Sequence, residues 1–251
     1  IPLALGGKTE SIHAVRQVSF DIRRGETVAL IGESGSGKTT IARAILGLAH
    51  PEAGSIRLNG HELLGQNRNG WTAARAKVAM MFQDPAGSLS PRMTIARQVV
   101  EPLLVHGRAP EATRARALDL LAMAGLEPRF ADRYPHELSG GQARRAGVAR
   151  ALALSPELIV ADEPTAGLDV SVQGEVINLL NGLQEKLGIA ILLITHNMAV
   201  VRHTADRAVV LLKGQVVETG PTAAIFAGAD QPYTRALIAA AQHDIPEPES
   251  I

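Results

Sequence analysis

An α/β fold organised around a mostly parallel sheet is predicted for this chain by two observations. Apolar runs at Thr27–Ile31, Leu158–Ala161 and Ile189–Ile194 each end on glycine or polar residues. Short continuous apolar runs suit strands buried on both faces of a parallel sheet. Segments of helical spacing separate them over residues 1–84 and 156–212, the alternation that produces layered α/β architecture. In such sheets ligands bind outside the carboxyl ends of the strands, so the residues that end these runs are the first candidates for chemistry.

The first run enters Gly32-Glu33-Ser34-Gly35-Ser36-Gly37-Lys38-Thr39, a full match to G-x-x-x-x-G-K-[ST]. A nucleoside triphosphate tail crowds several negative charges together, so its binder needs converging backbone N–H donors with little side-chain bulk, a mobile cation and a hydroxyl for Mg²⁺. Gly32, Gly35 and Gly37 allow the tight curve, with Glu33, Ser34 and Ser36 between them. Lys38 can reach the β- and γ-phosphates and Thr39 can ligate Mg²⁺, with Thr40 following in the helix that Ile41, Ala44, Ile45 and Leu48 outline.

Further along, Ser55–Leu58 followed by Asn59-Gly60 signals a hairpin. A strand at Val78–Phe82 leads to Gln83. The pattern then turns helical: Thr94–Leu104, Pro110–Ala124 with Gly125 as C-cap, and Gln142–Leu154. This helical subdomain covers about 85–155, and 213–251 reads as a C-terminal extension. Just before the last of these helices stands Leu138-Ser139-Gly140-Gly141-Gln142, a second helix start suited to an anion.

The second apolar run ends in Asp162-Glu163. Taken alone this is an ordinary strand end. Beside a phosphate loop, Asp162 is the expected partner of Mg²⁺ and Glu163 the expected polariser of the attacking water, because hydrolysis needs an acceptor in line with the γ-phosphate.

A phosphate loop, Ser139-Gly140-Gly141-Gln142 and Asp162-Glu163, in that order, resemble the ABC ATPases over nearly the whole chain. The resemblance implies a P-loop NTPase (RecA-like) core with a small antiparallel β subdomain and a helical subdomain, ATP and Mg²⁺ as cofactors, and a second ABC ATPase subunit whose Ser-Gly-Gly motif closes on the nucleotide of the first. It further implies that Gln83 senses γ-phosphate and Mg²⁺, that Asp169, in Gly167-Leu168-Asp169, organises the dimer seam, and that His196 contacts the γ-phosphate.

Three more segments resemble the oligopeptide, dipeptide and nickel importer branch: Phe82-Gln83-Asp84-Pro85 with Leu89-Ser90-Pro91-Arg92, Leu168-Asp169-Val170-Ser171-Val172-Gln173, and Gln231-Pro232-Tyr233-Thr234-Arg235-Ala236-Leu237. The Glu- and Gly-rich stretch of exporters does not occur at Ala131–Glu137. This implies integral membrane permease subunits docked near 83–100, an extracytoplasmic substrate-binding protein acting through them, and a place at the cytoplasmic face of the inner membrane. The alternative is the ABC subunit of a phosphonate-metabolism complex, whose sequences resemble the segment around Asp169. The chain departs from the importer branch in having Ala166-Gly167 where Ser-Ala is usual and Asn197 where Asp is common.

Composition narrows the classes. Lys plus Arg equals Asp plus Glu at 25 each, so no basic field argues for nucleic acid, and at 3% aromatics there are few stacking platforms for single strands. With no cysteine, disulfides and thiolate-ligated metals are excluded. Apolar runs such as Ile189–Ile194 are far too short to span a bilayer. Residues 1–15 hold no Phe, Tyr or Trp where the resembled family places an adenine-stacking aromatic; the expectation is a truncated start, with His13 the substitute otherwise, and the tail from Pro246 reads as disordered.

Overall fold

The computed structural model describes residues 14–108 and 113–243. The readings for His13, for 110–112 and for the tail from Pro246 lie outside those residues. The elements run β1 (Thr27–Ile31), α1 (Lys38–Ile45), β2 (Arg57–Leu58), β3 (His61–Glu62), α2 (Arg68–Arg75), β4 (Val78–Met81), α3 (Pro85–Ser88), α4 (Ile95–Val105), α5 (Thr113–Met123), α6 (Gly140–Leu152), β5 (Leu158–Asp162), α7 (Val170–Leu187), β6 (Ala190–Ile194), α8 (Met198–Thr204), β7 (Arg207–Leu212), β8 (Gln215–Pro221), α9 (Thr222–Gly228) and α10 (Pro232–His243).

Six strands form one sheet in the order β4-β5-β6-β1-β7-β8, parallel except for the antiparallel edge strand β8. The central strands β1 and β6 are buried at every position, which is why their sequences show no polar alternation. Their side chains still divide by the period of two. Val28 and Leu30 join a core with Ile41 and Ala42 of α1, while Ala29 and Ile31 face α8 and the C-terminal helices through Met198, Val201, Ile225 and Ile238. Burying each fully covered Leu or Ile stabilises the fold by roughly 2 kcal/mol.

A separate cluster holds the helical subdomain. Ile95, Val99 and Leu103 line one face of α4 and meet Leu120 and Leu121 of α5 and Val148 and Leu152 of α6; the cluster continues to Ile159 and Leu193 in the sheet. The hairpin β2–β3 turns on Asn59 (φ 52°) and Gly60 (φ 78°), the two left-handed residues a type I′ turn requires.

Several helix boundaries differ from the sequence reading by a residue or more, among them the end of α1 and both ends of α6, which stops at Leu152 rather than Leu154. α1 stops at Ile45, and Leu48 is exposed instead of extending its apolar face. The cause is Gly47, at φ 65°, where a Cβ would stand 2.4 Å from the Trp71 ring. α6 begins at Gly140 rather than at Gln142, because Ser139 is the N-cap and Gln142 closes a capping box with it, so both glycines lie inside the first turn.

Candidate nucleotide-binding site

β1 delivers the phosphate loop to the carboxyl edge of the sheet. Gly32 (φ 148°), Gly35 (φ 79°) and Gly37 (φ 108°) all occupy conformations that disfavour side chains, and a Cβ on Gly32 would sit 2.2 Å from the Leu211 carbonyl at the end of β7. Gly37 is the N-cap of α1, so no side chain satisfies the first N–H groups of that helix. α6, α7 and α8 are each capped by a side chain, from Ser139, Asp169 and Asn197 respectively. Of these four helix starts, that of α1 is the one whose first N–H groups meet no side-chain cap.

Lys38 lies back across this loop. Its Nζ donates to the carbonyls of Gly32 (2.7 Å) and Glu33 (2.8 Å) and more weakly to Ser36 Oγ (3.4 Å). Burial pushes the ammonium below its ordinary pKa, opposed by the negative charges of Glu163, Asp162 and Glu33. Asp162 shows the converse: burial raises its carboxyl, the Glu163 charge adds to this, and Lys38 and the Thr39 hydroxyl hold it down. Lys38, Thr39, Asp162 and Glu163 therefore form one electrostatic group.

Parallel register assembles the far side. Asp162 pairs with Ile194, so the residues leaving β5 and β6 emerge together. Glu163 turns out of the strand at φ 47° with its N–H bonded to the Ile194 carbonyl (2.8 Å). Its Oε2 accepts from Thr195 Oγ1 (3.1 Å), and its Oε1 accepts from the His196 N–H (3.2 Å) and lies 2.7 Å from His196 Nδ1.

The side chains of Ser139 and Gln142 cap one another: Ser139 Oγ accepts from the Gln142 N–H (3.3 Å) and Gln142 Oε1 from the Ser139 N–H (2.9 Å). Ser139 and Gly140 are exposed. Gly141 packs on the start of α7, where its Cβ would meet Val172 Cγ1 at 2.7 Å. Asp169 Oδ1 caps α7 by accepting from the Val172 N–H (3.0 Å). Gln83 leaves the end of β4 with an exposed side chain. The structure thus groups the phosphate loop with Asp162, Glu163 and His196, and presents the Ser139 helix start to solvent.

The model of the ABC transporter family matches residues 15–166. The chain belongs to the ABC transporter family. It is 49% identical over 233 residues to the glutathione import ATP-binding protein GsiA of Escherichia coli (strain K12), an alignment covering 92% of this chain and 37% of GsiA. The same figures hold for GsiA of Shigella boydii serotype 4 (strain Sb227), so the chain spans little more than a third of the length of these relatives. Among solved ABC structures, the ATP-binding cassette MJ0796, a dimer in a post-hydrolysis state bound to ADP and Pi, superposes with TM-score 0.78 at 35% identity, covering 87% of this chain and 94% of that one. CbiO1 from Clostridium perfringens, part of the ABC transporter complex cbiONQ, superposes with TM-score 0.80 at 29% identity, covering 96% and 92%.

Sequence reasoning missed Arg144. This ABC chain places it 2% exposed within α6. Nη1 donates to the carbonyls of Gln83 (3.1 Å) and Glu163 (3.3 Å), and Nη2 to that of Ala166 (2.8 Å). One guanidinium therefore links the helix capped by Ser139 to two loops of the site, the one after β4 and the one between β5 and α7, a fork geometry that lysine cannot reproduce. A charge on the buried face of α6, beside Ala143 and Val148, was the available signal.

Proposed function

We propose that the chain is the ATP-binding and ATP-hydrolysing subunit of an importer for glutathione or another short peptide, working as a dimer beneath membrane permease subunits. The uncapped start of α1, framed by Lys38, Thr39, Asp162 and Glu163, carries this reading. The dimeric state of MJ0796 and the import role of GsiA support it.

Residues 32–40 bind the phosphates, with backbone N–H groups at the start of α1 as donors. Lys38 turns from the loop's own carbonyls to the β- and γ-phosphates, regaining there the charge pairing that burial denies it. Thr39, Asp162 and Gln83 offer oxygen ligands, the hard set that suits Mg²⁺. Mg²⁺ bound there supplies neutralisation of charge on the phosphate oxygens. Glu163 accepts the proton of the attacking water, and His196, tethered to Glu163, contacts the γ-phosphate. Ser139, Gly140, Gly141 and Gln142, which have no phosphate on their own chain to hold, complete the partner's site, with Asp169 at the seam.

No helix among the described residues is long and apolar enough to cross a membrane. In this reading the permease subunits hold the chain at the cytoplasmic face of the inner membrane. An open groove of ≈ 330 Å³ between β4 and the helical subdomain, lined by Arg75, Met80, Phe82, Glu101, Val105 and Arg150 among others, offers the permease a mixed apolar and charged seat beside Gln83. Identification of the membrane subunits that co-purify with the chain tests the assignment. Peptide permeases are expected; a phosphonate-cleaving complex would contradict it.

A further inference from the structure

The segment Gln231–Leu237 marks a branch in the sequence yet takes no part in the chemistry above. The structure ties it to the phosphate loop. The Tyr233 ring packs with the cluster of Ile31, Met198, Val201 and Ile238. Its hydroxyl oxygen accepts a hydrogen bond from the Glu33 N–H at 3.0 Å, a contact across 200 positions of sequence.

Glu33 is consequently held from both sides. Tyr233 takes its N–H, while its carbonyl accepts from Lys38 Nζ (2.8 Å) and the Ser36 N–H (3.2 Å). When Lys38 turns towards a phosphate its bond to Glu33 weakens, and the Tyr233 bond, which needs nothing from the ligand, persists. The anchor is itself fixed. Glu218 of β8 accepts from the N–H groups of Asp230 (2.8 Å) and Gln231 (3.2 Å) at the entry to α10, and Arg235 Nη1 donates to the carbonyls of Ala229 (2.8 Å) and Asp230 (2.9 Å). β8 pairs with β7 and β7 with β1, the strand that feeds the loop. Loop and anchor therefore stand on one sheet.

We propose that Tyr233 is a positioning residue for nucleotide binding: its hydroxyl holds Glu33 so that the phosphate loop is preformed before ATP arrives. The inference rests on the reading of residues 32–39 as the phosphate site. A loop ordered in advance loses less entropy on binding, so the anchor appears as affinity.

Tyr233→Phe removes one oxygen and keeps the ring in its cluster. Titration calorimetry should show ATP and ADP each binding three- to ten-fold more weakly, about what one hydrogen bond contributes. KM for ATP should rise by a similar factor with kcat less affected, and the nucleotide-free protein should melt close to wild type. Glu218→Gln, which loosens the base of α10, should weaken binding in the same direction. Unchanged affinity in Tyr233→Phe while Lys38→Ala loses binding would overturn the anchor and leave the phosphate site standing. Unchanged affinity in both variants would overturn both. A loss of affinity matched by an equal loss of nucleotide-free stability would also overturn it, since that is the signature of a brace for the whole fold.

Discussion

The Glu163 carboxylate and the His196 imidazole form a direct pair, Oε1 to Nδ1 at 2.7 Å, with the His196 backbone N–H on the same oxygen. The Thr195 hydroxyl occupies the other oxygen, so a water entering the site must share an oxygen that already holds a donor. Glu163 is 14% exposed and His196 75%, which leaves the histidine as the member of the pair that faces incoming ligand.

Glu163→Gln should keep ATP binding and nearly abolish turnover. The amide is isosteric and preserves the phosphate cradle, but cannot take the proton of the attacking water. The expected product is an ATP-trapped dimer, visible by size-exclusion chromatography. Hydrolysis near the wild-type rate would remove Glu163 from the proposed role.

Arg144→Ala removes the donor shared by the carbonyls of Gln83, Glu163 and Ala166. Losing these donations to part-buried carbonyls and opening a cavity at the buried Arg144 position should destabilise the chain by about 3 kcal/mol in urea unfolding. Arg144→Lys keeps the charge but not the fork, and should recover only part of that stability while still lowering kcat. Wild-type stability in both variants would show that the two loops hold without it.

Asp169 gives a pH signature. Its carboxylate accepts from the Val172 N–H and the Ser171 hydroxyl, which hold its pKa below the ordinary 3.8. A depressed acid stabilises the fold above its unfolded pKa and loses that contribution as pH falls through the folded value. The melting temperature of Asp169→Ala should therefore lie below wild type by a constant margin from neutral pH down to about 3.8, and the margin should narrow only below it. A margin that closes near neutral pH would rule out the cap as its cause.

The parts legible in the sequence were those where local pattern and global fold agree. β1, β5 and β6 lie where unbroken apolar runs place them, and Asn59-Gly60 makes the turn its φ preference dictates. The phosphate loop was equally visible, because its glycines answer a constraint written in consecutive residues. Arg144 and Tyr233 escaped for the opposite reason: the partners of Arg144 lie 19, 22 and 61 positions away and that of Tyr233 lies 200 away, where only the fold brings them together. The two-residue error at the start of α6 came from reading glycines as loop, although the Ser139–Gln142 capping box offsets their poor helix propensity.

In the proposed dimer the Ser139 helix start acts on the partner's nucleotide. Gly141 is a poor place to test it, since any side chain there strikes Val172 of the same chain. Gly140 is better: its Cβ meets only Leu168 Cδ2, at 3.5 Å, and an aspartate in the first turn of a helix is locally favourable. Gly140→Asp should fold normally and set a carboxylate against the partner's γ-phosphate. The decisive measurement is ATPase activity of Gly140→Asp and Lys38→Ala subunits, separately and mixed. Each alone should be nearly inactive. The mixture should recover about a quarter of wild-type activity, because half of randomly paired dimers then carry one intact composite site and one doubly defective site. No recovery, with mixed dimers demonstrably formed and one-site activity established independently, would overturn action across the dimer and return the motif to the status of a helix cap.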